Sequence, residues 1–408
     1  MTEILNLVAW YLVVTVIGLT ALPVVFRLLP GLPLRGYALA RPLGLLLWGF
    51  IFWIFASLGV LQNDLGGVLL AFLLLLGGAA WMLRGGFQRE IIAWFKQNLR
   101  TLLTVEGLFL LVFILWVIVR GMNPEVTYTE KPMELAFINS ILRSEGFPPQ
   151  DPWLSGYAIS YYYFGYVIIA LLARVTGTAA AVAFNLSSAT WLALTAAALY
   201  GIVYDITSLW AKQKNGESAA LNESFSRNAG FLGPLFVLVI STIEGVLEFL
   251  HAGGVFWRRG ADGVLTSKFW RWLSILDLNQ PPGQPFNWLP SRASGWLWWR
   301  GSRVLQDLTL DNRHVEVIDE FPFFSDLLSD LHPHVLAMPF TLLAVALALN
   351  LFIGGNSFLH KSHRLVDWLR NWTFWLTALI LDSLAFINTW DFPIYVALFC
   401  LVWAFMRY

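Results

Sequence analysis

A single cysteine, Cys400, occurs in 408 residues and lies in an apolar run. That excludes an intrachain disulfide framework and a cysteine-rich metal site. Charge is scarce too: 13% of residues are Asp, Glu, Lys or Arg, and the signs balance to a formal net charge of zero. No basic field exists to hold nucleic acid. The N-terminus has neither a basic n-region nor a small-residue cleavage site, so its first apolar run is read as a retained helix. What remains is 58% hydrophobic and includes 21 tryptophans, the composition of an all-α polytopic membrane protein.

Apolar runs of spanning length occur near 4–26, 43–61, 65–83, 102–120, 180–210, 229–249, 335–353, 371–387 and 392–406, predicting about nine transmembrane helices. Basic residues follow the first run (Arg27, Arg35, Arg41) and the third (Arg84, Arg89, Lys96, Arg100), but the 62–64 connection has none. The positive-inside rule therefore puts the N-terminus outside. The run 161–173 is short for a span. Letting it cross would move Lys212, Lys214 and Arg227 outside, so 159–175 is expected to lie on or dip into the outer leaflet. His360, Lys361, His363, Arg364 and Arg370 then fall in the cytoplasm. Residues 1–100 read as an N-terminal three-helix segment. Residues 101–408 read as a second membrane module with external loops 121–179 and 250–334. The first five spans are read as lacking charge, which argues against a transporter.

The stretch Tyr128–Tyr166 is too polar to span and too patterned to be a spacer. Thr129 is expected to cap a helix beginning Glu130, Lys131, Pro132, with Leu135, Ile138 and Leu142 along a face that lies on the membrane. Glu130 and Glu134 stand one turn apart on one side of its start. They are either a pair of carboxylates presented at a surface site or two acids stabilised by a helix dipole.

Further on, Glu244 and Glu248 are one turn apart at the outer end of the sixth span, followed by His251. In the 252–334 segment, Arg300 and Arg303 among tryptophans either grip a lipid phosphate or anchor an aromatic belt. Asp326, Asp330, His332 and His334 could bind a divalent cation, Mg²⁺ or Mn²⁺, or cap the next helix with Pro333 in its first turn. The turn at 387–393 places Asn388, Trp390 and Asp391 on the same side. Every unusual polar group thus falls on one face.

The segments TEKPMELAFINSILRSEGFPPQDPWLSGYAISYYYFGY, FPFFSDLLSDLHPHVLAMPF and NTWDFP resemble those of the polytopic membrane proteins named for a triple tyrosine, here Tyr161, Tyr162 and Tyr163. Those proteins are similar in turn to the GT-C glycosyltransferases, and the resemblance implies a GT-C-like core over residues from about 102 onward. It implies an inverting sugar transfer at the external face of the plasma membrane. The donor would be a polyprenyl-phosphate-linked sugar, and the acceptor is not specified. The superfamily acid is usually an Asp in a paired acidic motif. Here the matching region offers Glu130 and Glu134, with Asp151 nearby. Lys131, Tyr161–Tyr163, Glu244, Arg300, Arg303, Asn388, Trp390 and Asp391 are the expected substrate contacts. Members of the family are often longer, so a further C-terminal portion is expected. A flippase or transporter and a non-catalytic scaffold are the competing classes.

Overall fold

The computed structural model describes residues 2–215, 219–288, 297–355 and 365–407. The basic group His360–Arg364 lies outside them. The chain divides into two compact units, Met1–Pro234 with Ser329–Tyr408, and Leu235–Leu328. The division expected at residue 100 falls inside the first.

The regular elements described in the first unit are helices, with one isolated bridge between Gln150 and Ala158 in the loop before Tyr161. In chain order it holds α1 (Thr2–Leu28), α2 (Ala40–Ser57), α3 (Leu65–Met82), α4 (Phe87–Gln97), α5 (Leu99–Met122), α6 (Lys131–Arg143), α7 (Phe164–Thr176), α8 (Ala180–Asn215) and α9 (Ala219–Ala229). The second unit contributes α10 (Glu244–Ala252), α11 (Lys268–Leu273), α12 (Leu297–Gly301) and α13 (Pro322–Leu328). The chain then re-enters the first unit as α14 (Pro333–Phe352), α15 (Leu365–Leu369), α16 (Trp372–Ile387) and α17 (Asp391–Arg407).

Among the described residues, six helices are long and apolar enough to cross a membrane: α1, α2, α3, α5, α8 and α14. A seventh is added if the broken segment Glu223–Ile240 and Glu244–Ala252 is one span. Helix α16 is apolar but shorter. Outward-facing Leu, Ile and Val side chains on α1, α3 and α5, such as Leu12, Leu73 and Leu111, are exposed as lipid contact requires.

The segment expected to lie on or dip into the outer leaflet contains helix α7, which packs inside the protein. Its residues Phe164 to Ala173 are all buried within the protein, and it packs against α1, α2, α3, α6, α8 and α14. A helix that is apolar all round belongs in a core, not at an interface. Its 13 residues reach only about 20 Å, short of a bilayer's hydrocarbon thickness. Gly165 permits the contact with α14, because a Cβ there would come within 2.6 Å of Leu336 Cδ1. Gly177 ends the helix at φ 66°, where a side chain would be strained.

The expectation of uncharged early spans also fails. Glu106 lies inside α5 and receives two hydrogen bonds from Arg41, at 2.9 and 2.6 Å, and one from Tyr37 Oη at 2.9 Å. Asp205, buried in α8, accepts from the Leu34 amide at 2.7 Å. On α14, Asn350 accepts from the Gly31 amide at 2.9 Å. Asp205 and Asn350 satisfy backbone amides of the turn between α1 and α2, while Glu106 holds the side chains of Tyr37 and Arg41. Their role here is to hold that turn, and each is locally paired.

The second unit is built differently. After a π-helical run, Leu235–Ile240, the chain breaks at Ser241 with φ 59° and restarts as α10. Glu244, Glu248 and His251 all lie on the buried face of α10, as spacings of four and three dictate. Two short antiparallel hairpins follow: β1 (Arg258–Arg259) pairs with β2 (Leu265–Thr266), and β3 (Gln306–Leu308) with β4 (His314–Glu316). Trp270, Ile275 and Leu278 form its small core. His251 packs edge-on against Trp257 and Trp270 and bonds through Nε2 to the Gln280 carbonyl at 2.7 Å.

Candidate functional site

Helix α6 positions the first pair of acids. Its buried stripe is Glu134, Phe137, Ile138 and Ile141, together with Lys131, so the packed face differs from the 135/138/142 face expected to meet lipid. Phe137 meets Tyr161 and Tyr166. The far end of α6 is pinned. Asn63 Nδ2 donates to the carbonyls of Ile141 and Ser144 at 2.6 and 2.7 Å, and Arg174 donates to that of Leu142 at 2.9 Å. Three of the orphan carbonyls at this helix end are thereby satisfied.

Thr129 does not cap α6. The residue at the cap is Glu130, with no side-chain capping bond. Tyr128 and Thr129 instead adopt φ 62° and 51°, a conformation unfavourable for a β-branched residue. Thr129 Oγ1 is directed across to Asp330, donating to Oδ1 at 2.6 Å. The strained turn is therefore tied to the segment preceding α14.

That segment supplies the other half of the site. The Leu331 amide donates to Glu134 Oε2 at 2.9 Å, and His332 Nε2 lies 3.1 Å from Glu130 Oε2. The Nδ1 atoms of His332 and His334 are 2.8 Å apart. Pro333 opens α14 at its first turn, and His332 occupies the cap position without a side-chain capping bond. Asp391 stands within electrostatic reach of His334 and accepts from Asn388 Nδ2 at 2.9 Å. Arg120, held by Asn185 Oδ1 at 2.9 and 2.7 Å, acts electrostatically on both Asp330 and Lys131. One unit thus gathers four carboxylates, two imidazoles and two cations.

The two glutamates are not equivalent. Glu130 is half exposed. Glu134 is 0% exposed, and its Oε1 has no hydrogen-bond partner. Burial, then the negative charge of Asp330, push the Glu134 carboxyl well above its ordinary value, against the Leu331 hydrogen bond. Burial lowers the Lys131 ammonium, with Asp330 opposing. Glu134 is therefore the buried carboxyl and Glu130 the accessible one.

A pH dependence follows. Burial raises the Glu134 carboxyl above its ordinary value of 4.5, so the folded protein holds this proton to higher pH than the unfolded chain does. Stability from this group is complete below that value and is lost as pH rises through the raised one. Glu134→Gln is expected to flatten the alkaline part of a melting-temperature profile against pH. Parallel profiles for parent and variant would mean the carboxyl is already ionised.

Other expected residues fall elsewhere. Asp151 Oδ1 accepts from the amides of Trp153 and Leu154 at 2.8 and 2.9 Å, which makes it a turn former. Tyr161, Tyr162 and Tyr163 precede α7 and are not helical. Tyr161 stacks with Phe137 and Tyr162, while Tyr163 Oη accepts from Trp53 Nε1 at 3.1 Å. Trp390 is 77% exposed.

In the second unit, Glu244, Glu248, Arg300, Arg303, His314 and Glu316 line a cavity of about 310 Å³. Arg300 Nη2 is 2.6 Å from Glu248 Oε2, with both side chains buried. Arg303 lies over the Trp299 ring at 3.5 Å and 2.9 Å from Glu316. Both guanidinium groups are thus engaged within the protein. Asp326 also belongs to this unit, where burial pushes its carboxyl up to about 8. Asp330, His332 and His334 belong to the first.

Residues 47–408 match the model of the protein family described as Uncharacterized membrane protein (DUF2298). The chain belongs to this family. The matched region contains the whole acid–imidazole cluster and all of the second unit. No curated protein and no solved structure matches the chain. Sequence reasoning missed Arg120, Asn185 and Thr129 in the cluster. Arg120 carried the available signal, a basic residue at the end of an apolar run.

Proposed function

We propose that this family member is a GT-C-like transferase that moves a sugar from a polyprenyl-phosphate donor to an acceptor hydroxyl, with inversion, at the external membrane face. The observation that carries the reading is the accessible carboxylate of Glu130, backed by His332 and set beside the buried Glu134. In this reading Glu130 takes the acceptor's proton as the hydroxyl attacks the anomeric carbon. The bond to the lipid phosphate breaks, and Lys131 with Arg120 offsets the charge growing on the leaving phosphate. His332 orients Glu130. The locally paired state of Glu106 and Asp205 favours a transferase over a transporter, since neither forms part of a polar route.

The two Nδ1 atoms at 2.8 Å fit adjacent ligand positions on one first-row cation. Their imidazole character suits Mn²⁺ better than Mg²⁺. His332 and His334 would hold such an ion, which would supply further charge for the leaving phosphate. Glu130 accepting from the far ring nitrogen of His332 is the usual support of a ligating histidine.

The direct test is transfer of a labelled sugar from a polyprenyl-phosphate donor by membranes carrying the parent or Glu130→Gln. The topology belongs to the same proposal: α16 and α17 also cross, giving nine spans, and α7 does not. In a Cys400→Ser background, a cysteine at Lys212 should react with an impermeant reagent only from the cytoplasmic side. Labelling from outside would move the cluster to the wrong face for an external donor.

A further inference from the structure

An apolar groove of about 560 Å³ runs between α2, α3 and α16, with Phe50, Gly78, Ala79, Trp375 and Ala378 in its walls and Asp382 at one end. Asp382 is exposed, and among the described residues it has no hydrogen-bond or ion-pair partner. It stands about 15 Å along α16 from Trp372 and about 8 Å from Ile387, so in the nine-span topology proposed above it lies inside the hydrocarbon layer. Phe50 lies in the central part of the candidate span Tyr37–Ser57, which agrees with that depth. Ionisable groups at this depth are costly unless they meet a partner.

We propose that the groove receives a transmembrane helix of a partner protein that carries a basic side chain near its middle, paired with Asp382. Gly78, Ala79 and Ala378 let a helix backbone come close, and a Cβ at Gly78 would meet no atom within 4 Å. A lipid chain fits the apolar walls but not the carboxylate, because its headgroup stays at the interface and only methyl groups reach mid-depth. A second copy of this chain also fails the chemistry. Among the described residues, no candidate span presents an exposed basic side chain at its centre. Charge complementarity therefore selects the partner helix.

The test uses the full chain, labelled, in phosphatidylcholine vesicles, with two spanning-length polyleucine peptides as probes. One has lysine at its centre and the other leucine. Energy transfer should show the lysine peptide binding at least about fivefold more tightly. Asp382→Asn should erase that advantage, and Ala378→Trp, which fills the groove, should remove binding of both. Equal affinity for the two peptides, no binding of either, or an advantage that survives Asp382→Asn overturns the proposal. Self-association of the labelled chain that depends on Asp382 overturns it as well, in favour of a second copy. Circular dichroism and melting of both variants check that the bundle is intact, as expected for substitutions on an outer face.

Discussion

Glu130→Gln is expected to lower sugar transfer about 10²- to 10⁴-fold while leaving donor binding within a few-fold of the parent, the usual worth of a general base. Glutamine keeps the size of the side chain and an oxygen that can accept from His332 Nε2, 3.1 Å away in the parent. What it loses is the capacity to take the acceptor's proton. The neighbouring substitution gives the contrast. Glu134 is buried, and burial with the charge of Asp330 pushes its carboxyl well above its ordinary value. Glu134→Gln therefore places a neutral side chain where the neutral form is already favoured, and it keeps an acceptor for the Leu331 amide. It should cost less than about tenfold in rate, since it removes no general base. Single-turnover transfer separates chemistry from binding, and equilibrium binding of the lipid donor is measured alongside. An inactive Glu134→Gln with a fully active Glu130→Gln would exchange the two roles. Parent rates for both singles and the double would leave the transferase reading without a base.

The pairing of Glu130 and Glu134 is legible in the sequence because their spacing of four fixes a common side of a helix. Which of them is buried is not legible, because that depends on the face α6 turns inward. The apolar residues of α6 permit two stripes, and tertiary contact with α7 and α8 chose the one containing Glu134. Asp330 and His332 carry a metal-like pattern in the chain. Their approach to Thr129 and Glu130 spans about 200 positions and is set by helix packing, which no local pattern records. The burial of helix α7 among other helices was not legible for a related reason. An apolar segment of 13 residues is too short to span, and the rule that detects shortness cannot distinguish an interface from a core. Asp382 carried a clear signal, an acid inside an apolar run.

Arg300→Met is expected to destabilise the second unit by about 3–5 kcal/mol, the penalty for leaving one member of a buried ion pair alone. Arg300 and Glu248 are only 8% and 5% exposed at their side chains, and their atoms meet at 2.6 Å. With the guanidinium removed, the Glu248 carboxylate stays on the inner face of α10 without that counter-charge. Arg300→Met combined with Glu248→Leu should recover most of the loss, because an apolar pair of similar volume avoids the desolvation of both ions. Arg303 offers the internal comparison. Its partner Glu316 is 69% exposed, so solvent screens the pair and Arg303→Met should cost no more than about 1 kcal/mol. Chemical denaturation followed by tryptophan fluorescence ranks the three variants, with Trp270 a buried reporter in this unit. A stable Arg300→Met protein with weakened lipid-donor binding would reverse the assignment. It would make Arg300 a phosphate contact and the Glu248 pair incidental to folding.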